Sequence, residues 1–473
     1  MKVCLVTGPR FDCKPGHKSL PPLGMAYLGA VARRGGHLVA AVDGVMVGRP
    51  GDIARQVAQS EPDVVGMTTT TSDRLACLAA IRQIRLAVPG AFLVVGGSHF
   101  SHSAVDALEA VPEIDAVVVG EGEETFSELL AHLPQRDGLE AIAGLVFRDA
   151  DGQIVRNAPR EVMRDINHLP MPAWDLFDVQ RYDFHMIDTA ATPIIGVMTT
   201  RGCPQSCVFC ANSLNKKMRY LAPELAVDQI AQLQKSYGIV GLKLFDDDFL
   251  TNPRHAAAFC EEVLRRNCKI NWACGARARN LDADLLKLMQ RAGCTCISFG
   301  VETGTNEVLK ASRKNLKTEE VLLAMELVGK LGFDQIELFL MIGLPGETTE
   351  TIDRTVKFIH SLRPLLGAAW HTKTVLGQLP LVFPGTGLEV IGRQEGTFPE
   401  RFSWNRPYLE PKRYLPLINR RFASTPHFEN AALPLEKLCE HVGKHHWREL
   451  SRGRRSRYRL APLRRLAVAL GLA

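Results

Sequence analysis

The sequence predicts an α/β protein built from two successive parallel sheets, and three observations carry that reading. Short apolar runs alternate with helical stretches from residue 1 to about 380, the alternation lapses between 151 and 192, and most of the runs end in glycine, threonine or an acidic residue.

In the first set the candidate strands are Lys2–Thr7, His37–Asp43, Asp63–Thr69, Ala91–Val95 and Ala116–Val119. Helical spacing runs from Pro22 to Arg34, closed by Gly35-Gly36, and from Asp73 to Val88, closed by Pro89-Gly90. This order reads as a doubly wound parallel sheet of the flavodoxin-like kind over 1–150. Ligands in such sheets sit beyond the carboxyl ends of the strands, which here carry Thr68 to Thr71, Gly96-Gly97-Ser98-His99 and Gly120-Glu121-Gly122-Glu123.

Prolines at 159, 170, 172 and 193 mark 151–192 as a linker wrapping one unit onto the next. The second set then runs Ile194–Thr199, Ile239–Phe245, Ile270–Cys274, Thr295–Gly300, Gln335–Ile342 and His371–Leu376. Its helices begin at Pro223, Asp282 and Thr318. Six βα units over 193–380 are too few residues for a full eightfold barrel of about 250 residues, so a partial (β/α)6 barrel is expected. From 381 to 473 the pattern is irregular, with one helical stretch at Pro434–Leu450, and reads as a small accessory region concerned with substrate.

Composition fits an ordinary globular enzyme: 46% of the 473 residues are hydrophobic and 23% charged, which excludes a disordered chain and a membrane bundle. No apolar run reaches eighteen residues. Met1–Thr7 meets Gly8-Pro9 with no cleavage pattern behind it and reads as a first strand, not a signal peptide. Twelve cysteines scattered through so long a chain read as reduced thiols, and a cytoplasmic location follows. The net charge of +6 is concentrated at the end, where Arg448 to Arg465 hold eight arginines against Glu449. That tail suits a weak membrane-surface contact or simple solvation; no nucleic-acid partner is expected, because no RNA-binding module accompanies it.

The chemistry is concentrated in Thr200-Arg201-Gly202-Cys203-Pro204-Gln205-Ser206-Cys207-Val208-Phe209-Cys210, directly after the first strand of the second set. Three thiolates on a short loop can converge on one iron-sulfur cluster and leave one metal position open. The same spacing suits a zinc knuckle with His185 or Cys274 as fourth ligand, or three unrelated core thiols. The C-x-x-x-C-x-x-C loop with its aromatic Phe209 resembles that of the radical S-adenosylmethionine superfamily. The likeness continues in Phe245-Asp246-Asp247-Asp248-Phe249, in Phe299-Gly300-Val301-Glu302-Thr303-Gly304 and in Ile342-Gly343-Leu344-Pro345-Gly346-Glu347-Thr348.

That resemblance implies a 4Fe-4S cluster held by Cys203, Cys207 and Cys210, whose open iron chelates S-adenosylmethionine for reductive cleavage to a 5'-deoxyadenosyl radical. It also implies an external electron donor such as flavodoxin or ferredoxin. Phe209, Asp247, Arg277, Glu302, Gly343 and Gly346 are the expected S-adenosylmethionine contacts. Arg277 can pair with its carboxylate, Asp247 and Glu302 can accept from an ammonium or a ribose hydroxyl, and the two glycines admit a flat adenine. The pair Cys294 and Cys296 can offer a further thiol on one face of a strand.

The amino-terminal set, with Pro21-Pro22-Leu23-Gly24-Met25 as well as the loops named above, resembles the cobalamin-binding domain fused to many radical S-adenosylmethionine enzymes. Thr68, Thr69, Gly96, Gly97, Gly120 and Glu121 are the expected cobalamin contacts. The D-x-H-x-x-G signature is absent, and Asp12 to His17 has the wrong spacing, so a cobalt without a histidine below it is implied. Taken together the two halves resemble cobalamin-dependent radical methylases, which methylate unactivated carbon or phosphinate phosphorus of small natural-product or lipid precursors. Relatives that cyclise, contract or oxygenate a ring without methyl transfer are the alternative, and an RNA- or membrane-associated module is a third reading.

Overall fold

The computed structural model describes residues 1–10, 19–135, 137–182, 194–211, 216–370, 379–399, 402–408 and 424–446. The arginine-rich tail, the Asp12–His17 run, His185 and the expected strand His371–Leu376 lie outside the described residues.

The first sheet contains β1 (Lys2–Thr7), β2 (Leu38–Asp43), β3 (Val64–Thr68), β4 (Phe92–Gly96), β5 (Ala116–Val118), β6 (Leu145–Arg148) and β7 (Ile154–Arg156), in the order β2-β1-β3-β4-β5-β6-β7. The first five strands run parallel, and β1 and β3 are almost wholly apolar and buried because both of their faces are covered. One face packs on helices Leu23–Arg34 and Glu123–His132, the other on Pro50–Gln59 and Arg74–Ala87. The sheet is thus doubly wound, and its order reverses between β1 and β3, where a crevice must open.

Beyond the expected strands, β6 and β7 add antiparallel to the edge, carrying the sheet past residue 150. The stretch that follows is lined with buried side chains, not solvent: Ile166, Trp174, Phe177, Val179 and Tyr182 join the same core as both sheets. Its polar atoms are tied on each side, with the Tyr182 hydroxyl donating to Asp43 and the Ala222 amide donating to Asn167.

The second sheet is parallel, in the order β14-β13-β12-β11-β8, with β8 at Ile194–Val197, β11 at Gly241–Leu244, β12 at Asn271–Ala276, β13 at Cys294–Glu302 and β14 at Gln335–Leu340. Trp370 makes a parallel bridge to Ile336 on the open side of β14, at the point where the expected sixth strand would begin. The helix signals act as expected: Pro223 opens Pro223–Tyr237, Gly238 ends it in the left-handed region, and the Asp282 carboxylate caps Ala283–Arg291 by accepting from the Leu285 amide at 2.8 Å. Between β8 and the first of these helices a two-residue ribbon, β9 (Thr200–Arg201) against β10 (Arg219–Tyr220), closes the base of the cysteine loop. No described helix is long and apolar enough to cross a membrane.

Candidate active site between the two sheets

The carboxyl ends of the first sheet face the carboxyl ends of β8 and β11 across a cavity of about 610 Å³. Leu5, Gly66, Thr68, Gly96, Gly97, Gly120 and Glu121 border it from the first sheet, and Met198, Arg201, Gly202, Phe245 and Asp247 from the second. The expected loops of both halves therefore meet in one space. Gly97 is held at a φ of +88°, and a Cβ there would stand 2.1 Å from the Thr68 hydroxyl oxygen, so only glycine fits. Thr68 itself donates to the Gly96 carbonyl at 3.1 Å. Thr69 is buried and turned away from the cavity, with its hydroxyl on the Thr70 carbonyl, and Thr71 bonds the buried His99 ring.

The acidic triplet alternates as a strand continuation must. Asp246 and Asp248 are buried, and Asp247 alone is exposed, on the cavity wall. Asp246 accepts from the amides of Thr199 and Thr200 at 2.7 and 3.0 Å, fixing the turn that delivers the cysteine loop. Burial pushes its pKa up to about 6.

Cys203 and Cys207 are half-buried, Cys210 is exposed, and none of the three is in a disulfide. Val208, between the last two, anchors the loop by packing into an apolar cluster with Val382, Leu388, Phe398, Trp404 and Phe428. Its amide donates to the Ser312 carbonyl and its carbonyl accepts from the Leu388 amide. The loop is thereby held by both the barrel and the carboxyl-terminal region.

Around the thiols stand three of the expected contacts, Glu302, Phe209 and Arg277, but with protein partners. The Glu302 carboxylate, on a backbone at φ +69°, accepts from the buried Lys314 ammonium at 2.6 Å. That same ammonium lies 5.7 Å from the centre of the Phe209 ring. The Arg277 guanidinium donates to the carbonyls of Lys314 and Asn315 and lies 3.9 Å from the Cys207 sulfur. Lys314 gave no local signal in the sequence; its part depends on a fold that brings 302, 209 and 277 to it.

Gly343 and Gly346 stand farther along, at φ +90° and +75°, in the turn after β14. The empty Cβ position of Gly343 faces Leu438, at 3.3 Å, with Pro380 and Leu379 beyond, and neither glycine borders the cavity. Glu347 holds this turn, accepting from the Gly343 and Leu344 amides while its other oxygen is buried without a partner. Burial raises the Glu347 pKa to about 7. The pair Cys294 and Cys296 is buried within β13, away from the cavity, and Cys274 is buried in β12.

A raised carboxyl pKa has a definite sign for stability. Between about pH 4.5 and pH 7 the native state binds a proton that the unfolded chain has released, so the Glu347 contribution is full below about 4.5 and is lost as pH rises through 7. Glu347→Gln is expected to flatten that part of the profile. Urea midpoints of the two proteins across pH 5 to 8 check it; parallel profiles would show that Glu347 does not titrate in this window.

One model, described as the radical SAM superfamily, matches residues 197–359, and a second, the B12 binding domain, matches residues 17–130. A protein of Pyrococcus horikoshii named as an uncharacterized methyltransferase is 31% identical over 345 residues, covering 72% of this chain and 73% of its own. The chain belongs to the radical S-adenosylmethionine superfamily. It carries a B12-binding domain as well, and its cofactors are a 4Fe-4S cluster, S-adenosylmethionine and cobalamin. An anaerobic magnesium-protoporphyrin IX monomethyl ester cyclase of Cereibacter sphaeroides is 27% identical, over 83% of this chain and 64% of its own. Among solved structures, the radical S-adenosylmethionine methyltransferase TsrM from Kitasatospora setae superposes with a TM-score of 0.68 at 20% identity, covering 84% of this chain and 78% of its own.

The residues present fit these groups. Cys203, Cys207 and Cys210 lie on one loop with half-buried or exposed sulfurs, the donor set that a cluster with one open iron takes. Gly24 and Gly120 border the cavity with no atom within 4 Å of where a Cβ would stand, so a bulky ligand can approach both backbones. Gly24 has ordinary helical geometry, which makes it a clean steric probe. Gly24→Phe is expected to weaken cobalamin binding at least about tenfold, roughly 1.4 kcal/mol, with little change in melting temperature. Equal cobalamin affinity in the variant, measured by equilibrium dialysis, would move the corrin elsewhere.

Proposed function

We propose that the chain is a cobalamin-dependent radical methyltransferase acting on an unactivated carbon, or a phosphinate phosphorus, of a small natural-product or lipid precursor. The observation that carries it is the single cavity bordered at once by the B12-binding loops and by Gly202, Phe245 and Asp247 beside the cysteine loop. When bound, the cofactors supply a hydrogen-abstracting radical and a transferable methyl group. The chain's residues then have distinct tasks. Cys203, Cys207 and Cys210 hold the cluster, Phe209 and Lys314 flank it, and Arg277 braces Cys207. Asp247 points a carboxylate into the cavity, where it can take a hydrogen bond from an ammonium or hydroxyl group. Thr68, Gly96, Gly97, Gly120 and Glu121 line the opposing wall. The apolar walls from Leu5, Met67, Val95, Val118 and Met198 keep water from reactive carbon.

An external flavodoxin or ferredoxin is the proposed electron donor, and the exposure of Cys210 supports its approach from that side of the loop. The eleven cysteines among the described residues are all outside disulfides, which suits a reducing cytoplasm.

The resemblance to the cyclase, over 83% of this chain, favours a second reading in which both cofactors act without methyl transfer. Anaerobic turnover with methyl-labelled S-adenosylmethionine separates the two. Label in the product supports methylation; 5'-deoxyadenosine with unlabelled product supports ring chemistry and removes the first reading.

A further inference from the structure

We propose that Asp353, His441 and His446 form a zinc site that pins the carboxyl-terminal helix to the barrel. Asp353 lies in the barrel helix Thr349–Leu366; His441 lies in helix Leu435–His445, and His446 follows directly. One carboxylate oxygen, Asp353 Oδ1, stands 2.7 Å from His441 Nε2 and 2.6 Å from His446 Nε2. Among the described residues this is the one group of three or more histidine, cysteine, aspartate or glutamate ligand atoms gathered within 4.8 Å.

The donor chemistry selects the ion. Two imidazole nitrogens with one carboxylate oxygen suit zinc far better than magnesium or calcium, which prefer all-oxygen shells. Three protein ligands leave a fourth position for water. Zinc bonds of about 2.0 Å would set neighbouring ligand atoms about 3.3 Å apart, so the site must open by roughly 0.6 Å, within reach of small side-chain rotations. Both rings are mostly buried, while the Asp353 side chain is 42% exposed and gives the ion a way in.

The position gives the site a purpose. Leu438, on the same helix as His441, packs against the empty Cβ position of Gly343. Asn430, just before that helix, donates to the carbonyls of Leu344 and Glu347, both at 3.0 Å. The helix is therefore the support under the 343–347 turn, and a metal clamp would hold that support in place without touching the reaction.

The test uses the full-length protein with its iron-sulfur cluster assembled, cleared of loose metal by a chelator and titrated with zinc chloride. One equivalent is expected to bind, with only nitrogen and oxygen neighbours in X-ray absorption at the zinc edge and a rise in melting temperature. Asp353→Asn and His446→Gln, chosen to preserve shape, are expected to weaken binding by roughly 100-fold or more with iron content unchanged. No bound zinc, sulfur neighbours around it, or undiminished binding in both variants would each overturn the site.

Discussion

Cys203→Ala is expected to abolish cluster assembly and lower the rate of 5'-deoxyadenosine formation by roughly 1000-fold or more, a barrier increase of at least about 4 kcal/mol. On the proposed assignment the cluster has three protein thiolates, Cys203, Cys207 and Cys210, so losing one leaves two iron positions without a protein ligand. The fold should tolerate the change, since Cys203 is only half-buried and the loop is anchored instead through Val208 and through Asp246. Iron and sulfide analysis beside a thermal melt makes the distinction: low iron with a melting temperature close to wild type is expected. Full iron content and retained cleavage would remove this loop from the chemistry.

The second large effect lies where the two sheets are fastened together. Arg201 and Arg219 face each other in the β9–β10 ribbon at the base of the cysteine loop, and both reach across to the loop after β5. Arg201 donates to Glu123 at 2.6 Å, and Arg219 grips Glu121 through two bonds of 2.6 and 2.7 Å. Arg201, Arg219 and Glu123 are almost fully buried. Burial works against the charge on Arg201, but Glu123 and Glu121 outweigh it and its pKa is raised.

Arg201→Ala would leave the Glu123 carboxylate buried and unpaired, at an expected cost of about 3–5 kcal/mol. Replacing the pair together, Arg201→Met with Glu123→Leu, should recover most of that loss, because no charge is then stranded. Urea unfolding of the single and double variants measures both values. A single-variant loss below about 1 kcal/mol would mean that water reaches Glu123 and that the sheets are held by their apolar core alone. Because Arg201 is two residues from Cys203, the ribbon also sets how the cysteine loop faces the B12-binding wall.

Much of this was legible without coordinates, for physical reasons. Strand and helix periods are local properties, so β1 to β5 and the five described barrel strands lie within a few residues of where apolar runs predict them. The short β6 and β7 form an antiparallel hairpin around Asp149 to Gln153, outside the strand-helix alternation that marks β1 to β5, and so do not stand out in the sequence. The 151–192 stretch reads as a linker from its prolines, yet the buried Trp174 and Tyr182 make its described part a layer of core between the sheets.

At the site, the sequence by itself determined the superfamily and the B12-binding half and points to the three thiols, because cluster chemistry demands a fixed local spacing and glycine-rich strand ends repeat in order. Only the tertiary structure decided which members of those motifs face the cavity. Asp247 does and its neighbours Asp246 and Asp248 do not, since alternate residues take opposite faces and a run of three aspartates hides which is which. Glu302 meets Lys314, Arg277 meets the backbone at 314 and 315, and Gly343 meets Leu438. Each of those partners is supplied by packing between residues distant in the chain, and no local pattern encodes such a meeting.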